Sequence, residues 1–164
     1  MDLPELPPNI RPGTPDDVPA IGRMIRELAE FEREPDAVKT TPVQLHEALF
    51  GADAVASALL ALDVAGDPAG FALWYRTFST WEGLPGLFLE DLYIAESERG
   101  SGLGKALLTA LARIAVKNGW RRLEWNVLRW NSEAIAFYDS LGGQPLDDWL
   151  TYRLSGSDLD SLGT

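Results

Sequence analysis

The chain has 164 residues, a formal net charge of −11 and 46% hydrophobic residues. That length suits a single domain with a sizeable core, and that acidity is a poor match for a nucleic-acid backbone. Cysteine is absent and His46 is the one histidine, which removes disulfides, thiolate nucleophiles and Cys-ligated metals and argues against a Ser-His-Asp triad or a multi-histidine metal site.

No apolar run approaches the roughly 20 residues needed to span a bilayer. The longest candidate is Ala54 to Leu62, and the acidic start Met1-Asp2-Leu3-Pro4-Glu5 lacks the basic character of an export signal. The expectation is an unexported, cytoplasmic protein without a membrane partner. Asn9-Ile10-Arg11 reads as a short strand, followed by Thr14-Pro15-Asp16-Asp17, a helix start with Thr at the cap, Pro first and an acid third. Val18, Ile21, Ile25, Leu28 and Phe31 then recur at helical spacing. Thr41-Pro42-Val43-Gln44 repeats the cap and opens a second helix that ends near Phe50-Gly51.

Two strand-like runs, Ala56 to Val64 and Ala69 to Phe78, flank the hairpin signal Gly66-Asp67-Pro68, and a third, Gly86 to Ile94, follows. After it, a helix carries Leu103, Leu107, Leu108, Leu111, Ile114 and Ala115 on one face and stops at Asn118-Gly119. Arg122 to Leu128 reads as a strand, Ser132 to Leu141 as a helix ended by Gly142-Gly143, and Trp149 to Leu154 as a last strand before a polar tail. The expectation is one domain over residues 1–164, with its core at about 10–154 and polar tails at both ends.

The junction between the third run and its helix is the most informative segment. Arg99-Gly100-Ser101-Gly102-Leu103-Gly104-Lys105 follows an apolar strand. Glycines let a ligand approach the backbone closely, and the free N–H groups and positive dipole end of a helix start attract phosphate. Two nucleotide loops fail against it. Arg99 stands where a nucleoside-triphosphate loop needs its first glycine and Ala106 where it needs Ser or Thr, while Lys105 and Leu107 break the dinucleotide fingerprint. Arg-x-x-Gly-x-Gly, read as Arg99, Gly102 and Gly104, does fit. Charge agrees: from Ser97 to Trp130 there are seven basic and two acidic residues, while the remainder of the chain is strongly acidic.

That loop, with Trp130-Asn131-Ser132-Glu133-Ala134-Ile135-Ala136-Phe137-Tyr138 and Gly142-Gly143 downstream, resembles the two signatures of the GNAT superfamily of N-acetyltransferases. Glu27-Leu28-Ala29-Glu30-Phe31-Glu32 and Phe88-Leu89-Glu90-Asp91-Leu92 look closest to its diamine acetyltransferase family, which includes spermidine/spermine and thialysine enzymes. The resemblance covers roughly Ile10 to Leu154. It implies an α/β (α+β) fold, a mixed, twisted sheet with a splayed central strand pair and helices on both faces. The activity it implies is transfer of an acetyl group from acetyl-CoA, without a metal, to a small cationic amine by direct attack in a ternary complex. Homodimers are common in that family.

By the same resemblance, Leu92, Tyr93 and Ile94 flank the pantetheine arm, Leu92 N–H polarises the thioester carbonyl, and Arg99, Gly100, Ser101, Gly102, Leu103, Gly104 and Lys105 form the pyrophosphate loop. Asn131, Ser132, Glu133 and Ala134 complete the coenzyme site, and Tyr138 is the general acid. The chemistry is consistent, because a phenol stays protonated at pH 7 and can protonate a departing thiolate. Glu90 would bind the cationic amine and accept its proton. Phe31, Glu32, Glu124, Trp125, Asn126 and Asp148 complete the implied amine site, although Leu146-Asp147-Asp148-Trp149 is a compressed version of the family's loop. Glu90 and Asp91 are adjacent, so in a regular strand only one of them faces a given cleft; the resemblance implies a bulge in the strand before the loop, which would change that. Two other functions fit the residues: a protein or peptide N-acetyltransferase, and a non-catalytic acyl-CoA-binding module that would keep the loop without requiring Tyr138 or Glu90.

Overall fold

Short-range polar contacts start the two helices that precede the long strands. The Arg11 guanidinium donates to both carboxylate oxygens of Asp17, at 2.6 and 2.7 Å, and the Thr14 N–H and hydroxyl both donate to Oδ2 at 2.8 Å. Asp17 is buried and ties β1 (Ile10–Pro12) to the 3-10 turn Pro15–Asp17 that leads into α1 (Val18–Phe31). At α2 (Pro42–Phe50), the Thr41 hydroxyl accepts the Gln44 N–H while the Gln44 side chain accepts the Thr41 N–H, closing the capping box read from the sequence.

The computed structural model describes residues 1–164, which divide into two compact units, Met1–Asn126 and Val127–Thr164. In the first, β1, β2 (Ser57–Leu62), β3 (Pro68–Ser79), β4 (Leu84–Ile94) and β5 (Leu123–Trp125) form one sheet in that order. The first three pairings are antiparallel and β4 with β5 is parallel. The turn between β2 and β3 has Gly66 at φ +89°, and Asp63 Oδ1 accepts the N–H groups of Ala65 and Asp67. The hairpin therefore forms where the sequence placed it.

Alternate side chains of each strand serve opposite faces of the sheet. Leu60 and Phe71, partners across the β2–β3 ladder, pack with Ile21 and Met24 of α1 and Leu45 and Leu49 of α2. Leu59 and Ala72 pair on the other face, which α3 (Leu103–Lys117) covers with the fully buried Leu107, Leu111 and Ile114. Helices thus lie on both faces of a mixed sheet, as the resemblance implied.

Two strand expectations fail. The run Arg122 to Leu128 forms a ladder only over Leu123–Trp125, opposite Leu87–Leu89. The run Trp149 to Leu154 takes no place in the sheet, and the second unit instead contains α4 (Ser132–Ser140) and α5 (Ser157–Leu162), the latter inside the expected polar tail. Trp149, Leu150 and Tyr152 are exposed. Their β-propensity reflects fit to a pleated, half-buried surface, which local sequence cannot supply without a neighbouring strand.

Asp17 supplies a stability test with a defined sign. Its carboxyl is lowered to about 2 by the Arg11 hydrogen bonds and then by the Thr14 donors, against the opposing effect of burial. A depressed carboxyl stabilises the fold above its unfolded value near 4, and that contribution disappears as pH falls toward 2. Asp17→Asn should therefore lose about 2 kcal/mol in denaturant unfolding at pH 7, with the difference from wild type closing as pH approaches 2.

Candidate active site

Pairing between β3 and β4 shifts by one residue in mid-strand. Leu73 lies opposite Asp91 and Trp74 opposite Leu89, so Glu90 is an extra residue without a partner, a β-bulge. The bulge turns both acids toward one face. Asp91 pairs with Leu73, on the α1 side of the sheet, and Glu90 reaches the phenol of Tyr75, also on that side.

Three carboxylates influence one another there. Asp91, half-buried, is pushed up to about 6 by burial, with repulsion from Glu90 and then Glu32 adding to the shift. Burial also raises Glu32, the residue after the end of α1. The Tyr75 phenol is raised by burial and by its charge interaction and hydrogen bond with Glu90. This arrangement suits a cation, which would relieve the mutual repulsion and favour the ionised acids. Asp91 is not identifiable from the sequence, because its place on this face depends on a bulge that side-chain alternation alone does not reveal.

The bulge also sets the edge of the sheet. The β4–β5 ladder ends at Leu89 and Trp125, so the β5-side edge of β4 beyond that point, through Leu92, Tyr93 and Ile94, has no ladder partner. Backbone groups of this edge have no strand to pair with. The Tyr93 side chain is committed elsewhere: it is buried in the core cluster, with its phenol raised by burial and by its interaction with Glu27. Its backbone faces Phe71 of β3, so the edge groups are those of Leu92 and Ile94.

From this strand the chain enters the glycine turn. Gly100 and Gly102 have φ of +80° and +92°, and an added Cβ at either would meet nothing within 4 Å. The left-handed backbone, rather than crowding, is what calls for glycine. Gly102 is the N-cap of α3, and no side chain caps the helix. The first N–H groups, at Leu103, Gly104 and Lys105, lack partners within the helix and are placed for an anion. Ser101 is occupied within the turn, its hydroxyl donating to the Glu98 carbonyl at 2.6 Å.

The remaining expected residues fall in two places. On β5, Glu124 pairs with Arg122 at 3.4 Å, Trp125 ends the ladder, and exposed Asn126 closes the first unit. In the second unit, the Asn131 side chain accepts the Ala134 N–H at 3.1 Å and caps α4. Exposed Ser132 and Glu133 and half-buried Ala134 form its first turn, Tyr138 is half-buried near its end, and Asp148 is exposed in the segment before α5.

Residues 22–142 match the model of the Acetyltransferase (GNAT) family. The chain belongs to the GNAT family. It is an acetyltransferase, as are similar curated proteins. A thialysine N-epsilon-acetyltransferase of Bos taurus is 34% identical, with 93% of this chain and 95% of that protein covered. One of Caenorhabditis elegans is 37% identical over 91% and 92%. Among solved structures, an integron cassette protein from the mobile metagenome of V. cholerae superposes with a TM-score of 0.78 at 25% identity, covering 94% of this chain and 96% of that one. GNAT enzymes draw the acetyl group from acetyl-CoA. No group of side chains in this acetyltransferase is arranged to hold a metal ion, and no helix is long and apolar enough to cross a membrane.

The raised Asp91 carboxyl makes the folded protein bind more protons than the unfolded chain between about pH 4 and 6. Stability contributed by this group is therefore present below pH 4 and lost as pH rises through 6. Asp91→Asn should stabilise the protein by about 1 kcal/mol at pH 7, allowing for solvent screening, and give no gain at pH 4; denaturant unfolding at the two pH values measures both.

Proposed function

We propose that this GNAT enzyme transfers the acetyl group of acetyl-CoA to a primary amine of a small cationic acceptor, a polyamine, a diamine or a lysine-like amino acid such as thialysine. The observation that carries this reading is the Glu90 bulge, which gathers Glu90 and Asp91 on one face with Glu32 beside a stretch of β4, at Leu92 and Ile94, that has no partner strand on its β5 side. The thialysine N-epsilon-acetyltransferase relatives support the acceptor class.

In this reading the two substrates occupy one ternary complex. The uncapped start of α3 and the turn from Arg99 to Lys105 hold the pyrophosphate, the open edge of β4 receives the pantetheine arm, and Leu92 N–H polarises the carbonyl oxygen. Asn131, with Ser132, Glu133 and Ala134 in the first turn of α4, is assigned to the same arm by family resemblance. The acidic face binds the acceptor as its ammonium ion, and Glu90, directly or through water, takes the proton that must leave before the nitrogen can attack. A C–N bond then forms, the C–S bond breaks, and the departing thiolate takes the Tyr138 proton. Phe31, Glu124, Trp125, Asn126 and Asp148 are assigned to the acceptor side by family resemblance. We also propose that the enzyme is a cytoplasmic homodimer, with exposed Trp149, Leu150 and Tyr152 supporting an apolar contact.

An acetylation screen of putrescine, spermidine, lysine, thialysine and aminoglycosides tests the acceptor class. The diamines, polyamines or lysine-like amino acids should be turned over, and coenzyme binding without transfer to any amine would reject the reading. Tyr138→Phe should reduce kcat by about 100-fold with coenzyme affinity within about twofold of wild type. Unchanged turnover would remove Tyr138 from the mechanism. Glu90→Gln should slow turnover at neutral pH, and a rate equal to wild type there would exclude the base role.

A further inference from the structure

The first side chain of the coenzyme loop turns toward the end of α1. The Arg99 guanidinium carbon lies 4.8 Å from the ring centroid of Phe31, the last residue of α1, and Arg99 Nε donates to the Ile94 carbonyl at the end of β4 at 3.4 Å. No carboxylate lies within ion-pair distance of this guanidinium. It is seated by an aromatic face and one carbonyl.

The surroundings confirm the direction. Phe31 and Arg99 line a cleft of about 560 Å³ with Tyr93, Glu27, Glu30 and Glu96. Three acids make that cleft unsuitable for a phosphate, so the anion belongs at the backbone N–H groups of α3 and not on this side of Arg99. The side chain instead spans the base of the turn, joining the end of β4 to the end of α1. Gly100 and Gly102 give the following backbone wide freedom in the unfolded chain, and a fixed anchor immediately before them limits the conformations the turn can take.

We propose that Phe31 is a positioning residue for the coenzyme loop: its ring seats Arg99, and Arg99 in turn holds the glycine turn in the conformation that receives the pyrophosphate. This rests on the turn being the coenzyme anchor. It gives Phe31 a role on the coenzyme side of the reaction, distinct from the acceptor side suggested by family resemblance. The effect is transmitted through Arg99, so a ring of any aromatic type should preserve it and an aliphatic side chain should not.

Calorimetric titration of coenzyme A, without an amine and hence without turnover, tests the idea. Phe31→Leu should weaken binding about three- to tenfold, whereas Phe31→Trp should stay within about twofold of wild type. Arg99→Met should weaken binding by a similar factor, and Phe31→Leu added to it should have little further effect. Wild-type affinity in a folded Phe31→Leu protein would overturn the proposal, as would a raised amine KM with unchanged coenzyme affinity. Additive losses in the double variant would exclude transmission through Arg99. If the wild-type protein bound no coenzyme A, the loop assignment would fall and this proposal with it; if binding occurs and only the Phe31 effects are missing, the loop assignment stands.

Discussion

The arrangement of the first unit depends on one extra residue in β4. A regular strand through Leu89-Glu90-Asp91 would send the two acids to opposite faces and would carry the same alternation on toward Ile94. Inserting Glu90 without a partner changes the phase, so that Leu89 faces α3 with Trp74 while Asp91 faces α1 with Leu73. The ladder to β5 ends at the same place. The bulge therefore accounts for the acidic face and sets it beside the strand edge that the end of the ladder leaves unpaired.

This placement opposes the stability of the acid that it buries. Asp91 is pushed up to about 6 by loss of solvent and by two neighbouring carboxylates, and nothing within the protein compensates it as Arg11 compensates Asp17. The contrast separates two uses of a buried carboxylate. Asp17 receives four hydrogen bonds and joins a strand to a helix. Asp91 has an environment better completed by an external cation, which is how a binding site differs from a structural ion pair. Just beyond the same end of the strand, the uncapped start of α3 has the opposite requirement and is better completed by an anion.

Features determined by a few consecutive residues were legible in the sequence. The Thr41/Gln44 capping box, the turn at Gly66 and the glycines that open α3 are local solutions to unpaired N–H groups or positive φ, and the residue types carry the reason with them. The family and its fold were legible from the loop and the Asn131–Tyr138 segment. Features that depend on register were not. Nothing in Phe88-Leu89-Glu90-Asp91 specifies which residue lacks a partner, because that is decided by Leu73 and Trp74 on another strand. The early end of β5 has the same origin. The Trp149 to Leu154 run has strand-like composition, yet pairing is a property of two segments and the sequence describes each of them alone.

The tyrosines illustrate how structure narrows a chemical choice that residue type leaves open. The chain has four, and any phenol could in principle protonate a thiolate. Tyr75 is held by Glu90 and Tyr93 by Glu27, and in both, burial and the adjacent carboxylate strengthen retention of the proton. A phenol so held is a weaker acid, and Tyr93 is also locked into the core between the sheet and α1. Tyr152 is 89% exposed and outside any regular element, so nothing preorganises it for proton transfer. Tyr138 alone combines partial enclosure with a fixed position on a helix, α4, whose first turn is capped by Asn131. The proposed acid is thus favoured by elimination among the chain's own phenols as well as by resemblance, and for Tyr75 the elimination rests on the same Glu90 that the bulge places on the α1 side of the sheet.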